Sequence, residues 1–191
     1  MSERKNLLLP KGSRLLLTPH QIKRRVREMA GEISQLMQGN APRNGHAWLV
    51  LGVLRGAFIF MADLARNLSL PVEIDFIQVA SYGAAAHSSG SIKLISPPRI
   101  NLEERSILLV DGILDTGNSM VWLVNYLKGL KAATVRTCVL LDKPDCHKVE
   151  VEANYVGFAL PPAFIVGYGL DLAQKYRQLP GIYKLPGEIT K

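Results

Sequence analysis

Strand-length runs of apolar residues alternate with helical segments along this chain, and this alternation limits the possible folds more than any other feature. Residues 47–53 and 106–110 form nearly continuous apolar runs, residues 134–141 form a further strand, and residues 72–79 alternate. Strands that are apolar throughout are typical of a parallel sheet that helices cover on both faces. The sequence therefore predicts an α/β fold with a central, mainly parallel sheet flanked by helices.

Three helices are predicted to accompany these strands. The first follows Thr18, a threonine N-cap with Gln21 three residues later, and Gly39 ends it. Residues 57–68 and 119–130 read as the second and third helices. Two shorter strands are also predicted: 91–95 and 164–170.

The size and composition are those of one globular domain. The chain has 191 residues, of which 48% are hydrophobic and 20% charged, so residues 1–191 can bury a real core. No apolar run reaches the roughly 18–20 residues that cross a bilayer, and the apolar triplets of the basic N-terminus are too short for a signal peptide. We therefore expect a cytoplasmic protein with no membrane partner, and Cys138 and Cys146 as reduced thiols.

The positive charge is concentrated at one end of the chain. Residues 1–30 hold eight bases and two acids, which accounts for +6 of the net charge of +7. A local basic segment of this kind is more often a solvated face or a subunit contact than a nucleic-acid site. We therefore expect a small-molecule ligand rather than a nucleic acid.

A cluster of acids and small hydroxyl residues follows the apolar run 106–110. The stretch contains Asp111 and Asp115 and continues through Thr116, Gly117, Asn118 and Ser119 into a predicted helix. Free backbone N–H groups at a helix N-terminus bind anions, and ligands of parallel sheets bind beyond the carboxyl ends of the strands. The stretch is therefore a candidate phosphate site, although it lacks the glycine-lysine pattern of ATPase loops.

The two acids leave alternatives open. An acid beside a phosphate is unfavourable unless a cation or a proton-transfer role requires it, so the pair indicates magnesium, ribose hydroxyls or base catalysis. Alternatively, Asp115 merely caps the helix that follows. The residue pattern alone does not decide between these interpretations.

Five stretches resemble a known family. Residues 108–120, LLVDGILDTGNSM, closely resemble the phosphoribosyl-pyrophosphate motif of type I phosphoribosyltransferases, and the other four resemble its hypoxanthine-guanine members. The resemblance implies the type I phosphoribosyltransferase fold, with a core over about 17–160, a lid loop over about 81–105 and a small C-terminal hood over about 161–191. The remaining four stretches are VLGVLRGAFIFMADLAR, SYGAAAHSSGSIKLI, VLLDKP and YVGFALPPAFIVGYGLDLAQKYRQLPGIYKL.

The reaction implied by this resemblance is purine salvage. Hypoxanthine or guanine would be joined to phosphoribosyl pyrophosphate, giving IMP or GMP and pyrophosphate. Asp115 matches the family's base, which takes the proton at purine N7. The residues that match the cradle for the 5′-phosphate are Asp115, Thr116, Gly117, Asn118 and Ser119.

The same resemblance implies the other parts of the site. Lys143 matches the donor to the purine's exocyclic oxygen, Phe164 the stacking aromatic, and Ile165 the backbone that reads the purine edge. Asp111 and Asp171 match the carboxylates for the ribose hydroxyls and Mg²⁺, with Asp171 also beside the purine. The pyrophosphate residues are Leu54, Arg55, Gly56 and Arg177, with a cis peptide bond expected at Leu54–Arg55, and the lid residues are Ser81 and Tyr82.

Gly112 departs from the family pattern, which usually has an adjacent acidic pair at 111 and 112. An enzyme with weakened ribose contact is one interpretation, in which Gly112→Asp is expected to tighten phosphoribosyl-pyrophosphate binding. The alternative is a catalytically weak or non-enzymatic regulator that senses phosphoribosyl pyrophosphate or nucleotides on the same fold. The resemblance also implies a homodimer or homotetramer.

Overall fold

A six-stranded sheet forms the centre of the computed structural model, which describes residues 9–42, 45–81 and 92–187. Its strand order is β4-β3-β2-β5-β6-β7, with all neighbours parallel except the antiparallel edge pair β3 and β4. The predicted fold class, a mainly parallel sheet flanked by helices, is confirmed. The strands are β2 Trp48–Leu54, β3 Val72–Ser81, β4 Ile92–Ser96, β5 Ser106–Leu114, β6 Thr134–Asp142 and β7 Tyr155–Ala159.

Three helices cover the two faces of this sheet. Helices α1, Pro19–Gly39, and α2, Phe58–Asn67, share one apolar core with the sheet, and α3, Asn118–Gly129, shares the other. The predicted start of α1 is confirmed, because the Thr18 and Gln21 side chains form a reciprocal capping box. None of the helices in the described ranges is long and apolar enough to cross a membrane.

A second, three-stranded antiparallel sheet joins the two ends of the described chain. Its strands are β1, Arg14–Leu17, β8, Ile165–Val166, and β9, Ile182–Lys184, in the order β1-β9-β8. Val166, Leu179 and Leu185 form a small apolar cluster beside it. The division of the chain into one domain with a lid and a hood stays a prediction.

The structure corrects two of the predicted strands. β5 does not end at residue 110 but continues to Leu114, and Asp111 remains paired with Val139 of β6. The late strand predicted over 164–170 is only the two residues of β8, because Gly167 and Tyr168 have positive φ angles that break the extended backbone. The short strand predicted over 91–95 is present as β4.

Candidate functional site

The turn between β5 and α3 exposes backbone donors at a helix N-terminus. Gly117 is the N-cap residue, with a left-handed φ of +84°, and no side chain caps the helix there. The alternative in which Asp115 serves only as the helix cap is therefore wrong. The first-turn N–H groups of α3 have no side-chain cap among the described residues and can bind an anion.

Gly117 is required at this turn for two reasons. Its positive φ is strained for residues with a side chain, and a Cβ at this position would lie 2.5 Å from Val151 Cγ1 and 2.9 Å from Val149 Cγ2. The neighbouring carbonyl of Thr116 accepts a hydrogen bond from the Lys148 N–H at 2.9 Å. The turn is thus held against the segment that follows β6.

Asp115 and Lys143 approach each other from the ends of neighbouring strands. Lys143 Nζ lies 3.5 Å from Asp115 Oδ1. The backbone N–H of Lys143 donates to the backbone carbonyl of Leu114 at 3.0 Å. The lysine side chain is only 7% exposed, whereas the aspartate side chain is 46% exposed. A buried ammonium beside a solvent-accessible carboxylate can place a hydrogen-bond donor and a proton acceptor on one small ligand.

A cleft of about 200 Å³ contains this pair. Five of the residues that line the cleft are ones that the sequence assigns to the site. The other two, Ile113 and Leu170, are apolar residues that the sequence analysis did not identify. The lining is Ile113, Asp115, Lys143, Phe164, Ile165, Leu170 and Asp171.

Two arginines lie beside the cleft and share one acceptor. Arg177 forms a salt bridge with Asp171, Nη2 to Oδ1 at 2.7 Å, and the Gln174 amide oxygen accepts from Arg55 at 3.0 Å and from Arg177 at 2.9 Å. The Gln174 N–H in turn donates to Asp171 at 2.8 Å. Gln174 therefore joins Arg55 of the β2–α2 turn to Arg177, although no motif in the sequence identified it.

The segment Leu54–Gly56 connects β2 to α2 with the expected cis peptide bond at Leu54–Arg55. The Gly56 carbonyl lies against two glycines. A Cβ added to Gly112 would stand 2.9 Å from the Gly56 carbonyl oxygen, and a Cβ added to Gly169 would stand 2.3 Å from the same oxygen. The structure therefore changes the expectation for Gly112→Asp. The added side chain would displace the Gly56 backbone, so we expect weaker rather than tighter phosphoribosyl-pyrophosphate binding.

Asp111 lies within β5 rather than after it. Burial raises the pKa of its carboxyl group to about 7, although the N–H groups of Gly112 and Ile113 favour the charged form. The Gly112 N–H donates to Asp111 Oδ1 at 2.6 Å. A nearby cation would favour the ionised form of this carboxylate.

The carboxylates present suit Mg²⁺ only in combination with ligand oxygens. Among the described residues no three His, Cys, Asp or Glu side chains group closely enough to hold a metal ion. Mg²⁺ is usually bound by one or two carboxylates together with substrate phosphates and waters. Asp111 and Asp171 fit that kind of site.

The predicted lid and thiols have different outcomes. Ser81 ends β3, whereas Tyr82 lies outside the described residues.

Cys138 and Cys146 are both free, as expected. Burial and the adjacent charge of Asp115 raise the pKa of the Cys146 thiol, which keeps it protonated.

A larger cavity lies away from this site. Its volume is about 620 Å³, and it is lined by parts of α1 and α2 and by residues near Leu179. None of the residues that the sequence assigns to the site lines it. The smaller cleft is therefore the candidate site, because it contains the charged residues Asp115, Lys143 and Asp171.

Comparison with known proteins points to one family. The phosphoribosyl transferase domain matches residues 15–173. The chain is 44% identical over 170 residues to the hypoxanthine-guanine phosphoribosyltransferase of Aquifex aeolicus, covering 89% of this chain and 93% of that protein. It is also 40% identical over 176 residues to the bifunctional protein TilS/HprT of Listeria monocytogenes, and spans only 26% of that protein's length.

Solved structures show the same fold. A hypoxanthine phosphoribosyltransferase from Staphylococcus aureus superimposes with a TM-score of 0.87 at 31% identity, covering 100% of this chain and 99% of that one. The Trypanosoma cruzi enzyme in complex with the product IMP gives a TM-score of 0.84 at 35% identity, covering 92% and 95%.

Proposed function

The chain belongs to the phosphoribosyltransferase family, and we propose that it joins hypoxanthine or guanine to phosphoribosyl pyrophosphate, giving IMP or GMP and pyrophosphate. The observation that carries this proposal is the convergence of Asp115 and Lys143 on a cleft that also contains Phe164. A purine in that cleft would meet an acid, a donor and an aromatic ring. This combination suits a planar base with both a proton and an exocyclic oxygen.

The two charged residues have different roles in the proposed reaction. Asp115 accepts the proton from purine N7 as N9 attacks C1′ of the ribose, which makes the base a better nucleophile. Lys143 donates to the 6-oxygen, so a 6-oxopurine satisfies the buried ammonium. Adenine carries a 6-amino donor instead, so the ammonium would face a second donor and have no acceptor on the purine.

The phosphate groups of the second substrate bind at two ends of the site. The 5′-phosphate occupies the N-terminus of α3, with donors from residues 116–119. The pyrophosphate lies against Leu54–Gly56, where Arg55 and Arg177 offer guanidinium donors to its oxygens. The family resemblance implies that the lid residues Ser81 and Tyr82 would exclude water that could intercept the ribosyl cation.

Magnesium is the proposed cofactor. Mg²⁺ would neutralise phosphate oxygens of phosphoribosyl pyrophosphate when both are bound, with Asp111 and Asp171 as the protein's carboxylates. Asp111 also accepts from the ribose hydroxyls. The salt bridge between Asp171 and Arg177 supports this assignment, because Arg177 is itself a proposed pyrophosphate contact.

The partner of the folded chain is proposed to be another copy of itself. Phe58, Ile74 and Phe76 are 44%, 49% and 40% exposed, and the two β3 residues stand on one face of that strand. An apolar surface of this kind is usually covered in an assembly. Light scattering that gives a dimer or tetramer would support the proposal, and a monomer at micromolar concentration would contradict it.

We propose a cytoplasmic location, in keeping with two free thiols.

Nucleotide formation tests the proposed function directly. The protein is incubated with Mg²⁺, phosphoribosyl pyrophosphate and each of hypoxanthine, guanine, xanthine and adenine. We expect turnover with hypoxanthine or guanine and none with adenine, a kcat that falls at least 100-fold in Asp115→Asn, and weaker 6-oxopurine binding in Lys143→Met. No turnover with any 6-oxopurine would contradict the proposal and favour a nucleotide-sensing regulator.

A further inference from the structure

Asp142 and His147 stand on either side of the turn that carries Lys143. His147 Nε2 lies 2.8 Å from Asp142 Oδ1, and the two side chains are only 17% and 14% exposed. A carboxylate accepts hydrogen bonds, so the ring nitrogen is the donor. The sequence alone suggested no role for His147, since it forms no spaced ligand set with the other histidines.

The backbone between these two side chains is tightly turned. Cys146 N–H donates to the Lys143 carbonyl at 2.9 Å, and His147 N–H donates to the Pro144 carbonyl at 3.2 Å. Residues Pro144–Cys146 form a 3₁₀ turn. The Asp142–His147 hydrogen bond therefore closes a short loop whose first residue after the strand is the lysine.

Both ends of this loop are tied to the proposed phosphate turn. Lys143 N–H donates to the Leu114 carbonyl before that turn, and Lys148 N–H donates to the Thr116 carbonyl within it, at 3.0 Å and 2.9 Å. The lysine loop thus lies along the β5–α3 connection. His147 is adjacent to the second of these ties.

The buried ammonium of Lys143 needs this support from its backbone. Its one ion-pair partner in the described part of the chain is Asp115, at 3.5 Å, and that carboxylate is assigned to the proton at N7. A long flexible side chain keeps a fixed position only when its backbone and surroundings hold it. The closed loop supplies that constraint.

We propose that Asp142 and His147 are positioning residues that hold the Lys143 ammonium on the purine's 6-oxygen. This inference rests on the proposed function and adds two residues that do not touch the substrate. Loss of the hydrogen bond would loosen the loop and shift the ammonium, and small displacements of a binding group have large effects on recognition. The phosphate donors, anchored by α3, would be affected less.

The test separates purine recognition from general damage. For His147→Ala we expect the KM for hypoxanthine to rise roughly tenfold, with the KM for phosphoribosyl pyrophosphate and the melting temperature little changed. Asp142→Ala, which removes the acceptor, should resemble it, and His147→Arg, which restores a donor, should recover most of the loss. Asp145→Asn is the matched control, because this exposed acid in the same turn has no hydrogen bond or ion pair with a described residue.

Contrary results are easily recognised. An unchanged hypoxanthine KM in His147→Ala, or equal increases in both KM values that His147→Arg does not reverse, would overturn the positioning role. A wild-type protein that forms no nucleotide would instead contradict the proposed function, and the inference with it. The double variant Asp142→Ala/His147→Ala should be no worse than either single variant if the pair acts as a unit.

Discussion

The backbone carbonyl of Gly56 lies so close to Gly112 that a Cβ on the latter would stand 2.9 Å from its oxygen. Leu170 closes the same space, with Cδ2 3.3 Å from that Cβ position. The β2–α2 turn and β5 therefore meet through backbone at this point. Gly112 is therefore required by the packing of this turn against β5.

Gly112→Ala is expected to displace the turn that contains Arg55. The overlap should lower the free energy of unfolding by about 1–3 kcal/mol and raise the KM for phosphoribosyl pyrophosphate several-fold, while the KM for hypoxanthine stays close to wild type. Urea unfolding and steady-state kinetics measure these effects. Gly31→Ala is the control, since nothing lies within 4 Å of its added Cβ and alanine favours the α1 helix. A neutral Gly112→Ala would show that the turn adjusts freely.

Gln174→Met is expected to impair pyrophosphate recognition selectively. Without the shared amide acceptor, the guanidinium groups of Arg55 and Arg177 lose their common anchor while repelling each other. In the reverse reaction, from IMP and pyrophosphate, the KM for pyrophosphate should rise about fivefold to tenfold, with little change in the KM for IMP. Gln178→Met, at an exposed glutamine with no described hydrogen bond, should leave both values unchanged. Equal effects of the two variants would remove Gln174 from the site.

The sequence predicted five of the six strands of the central sheet because burial on both faces leaves a recognisable apolar run, and it missed the edge strand β7, whose residues are only partly buried. It stopped β5 at residue 110 because Asp111 and Gly112 interrupt that run, yet the backbone ladder to β6 does not depend on side-chain polarity and continues. β1 and β9 were missed for a different reason. Both strands are short, and their pairing joins Arg14 to Lys184. A local sequence pattern cannot predict a contact between residues so far apart in the chain.

The candidate site divides in the same way. The turn at 115–119 was predicted because it forms a continuous motif at a strand end, and Lys143 was predicted because the stretch VLLDKP resembles the family's lysine segment. Gln174 and the Gly56–Gly112 contact were not, because both depend on segments far apart in sequence that meet only in the folded chain. The sequence motifs therefore identified the candidate site residues, and only the tertiary contacts show how the segments that carry them are held together.

Asp111 should make stability depend on pH. Its folded-state pKa of about 7 lies above the ordinary value of 3.8, so between these values the unfolded chain binds fewer protons and stability falls as pH rises. Asp111→Asn removes this contribution. From pH 5 to pH 8, the free energy of unfolding of the wild type should therefore fall by about 2.5 kcal/mol more than that of the variant. Urea unfolding at both pH values measures this, and parallel pH profiles would contradict the raised pKa.

Arg25 ties α1 to the edge strand β7. Its Nε donates to the Gly157 carbonyl at 3.1 Å and its Nη2 to the Val156 carbonyl at 3.0 Å, with the side chain 26% exposed. Arg25→Met keeps the apolar stem and removes both hydrogen bonds together with the ion pairs of Arg25 Nη1 to Glu28 and Glu32, so the free energy of unfolding should fall by about 2 kcal/mol. The neighbouring Arg24 is 69% exposed and pairs only with Glu28 at 3.6 Å, so Arg24→Met should change it by less than about 0.5 kcal/mol. Chemical unfolding compares the two variants, and equal losses would mean that α1 is held to β7 by apolar packing alone.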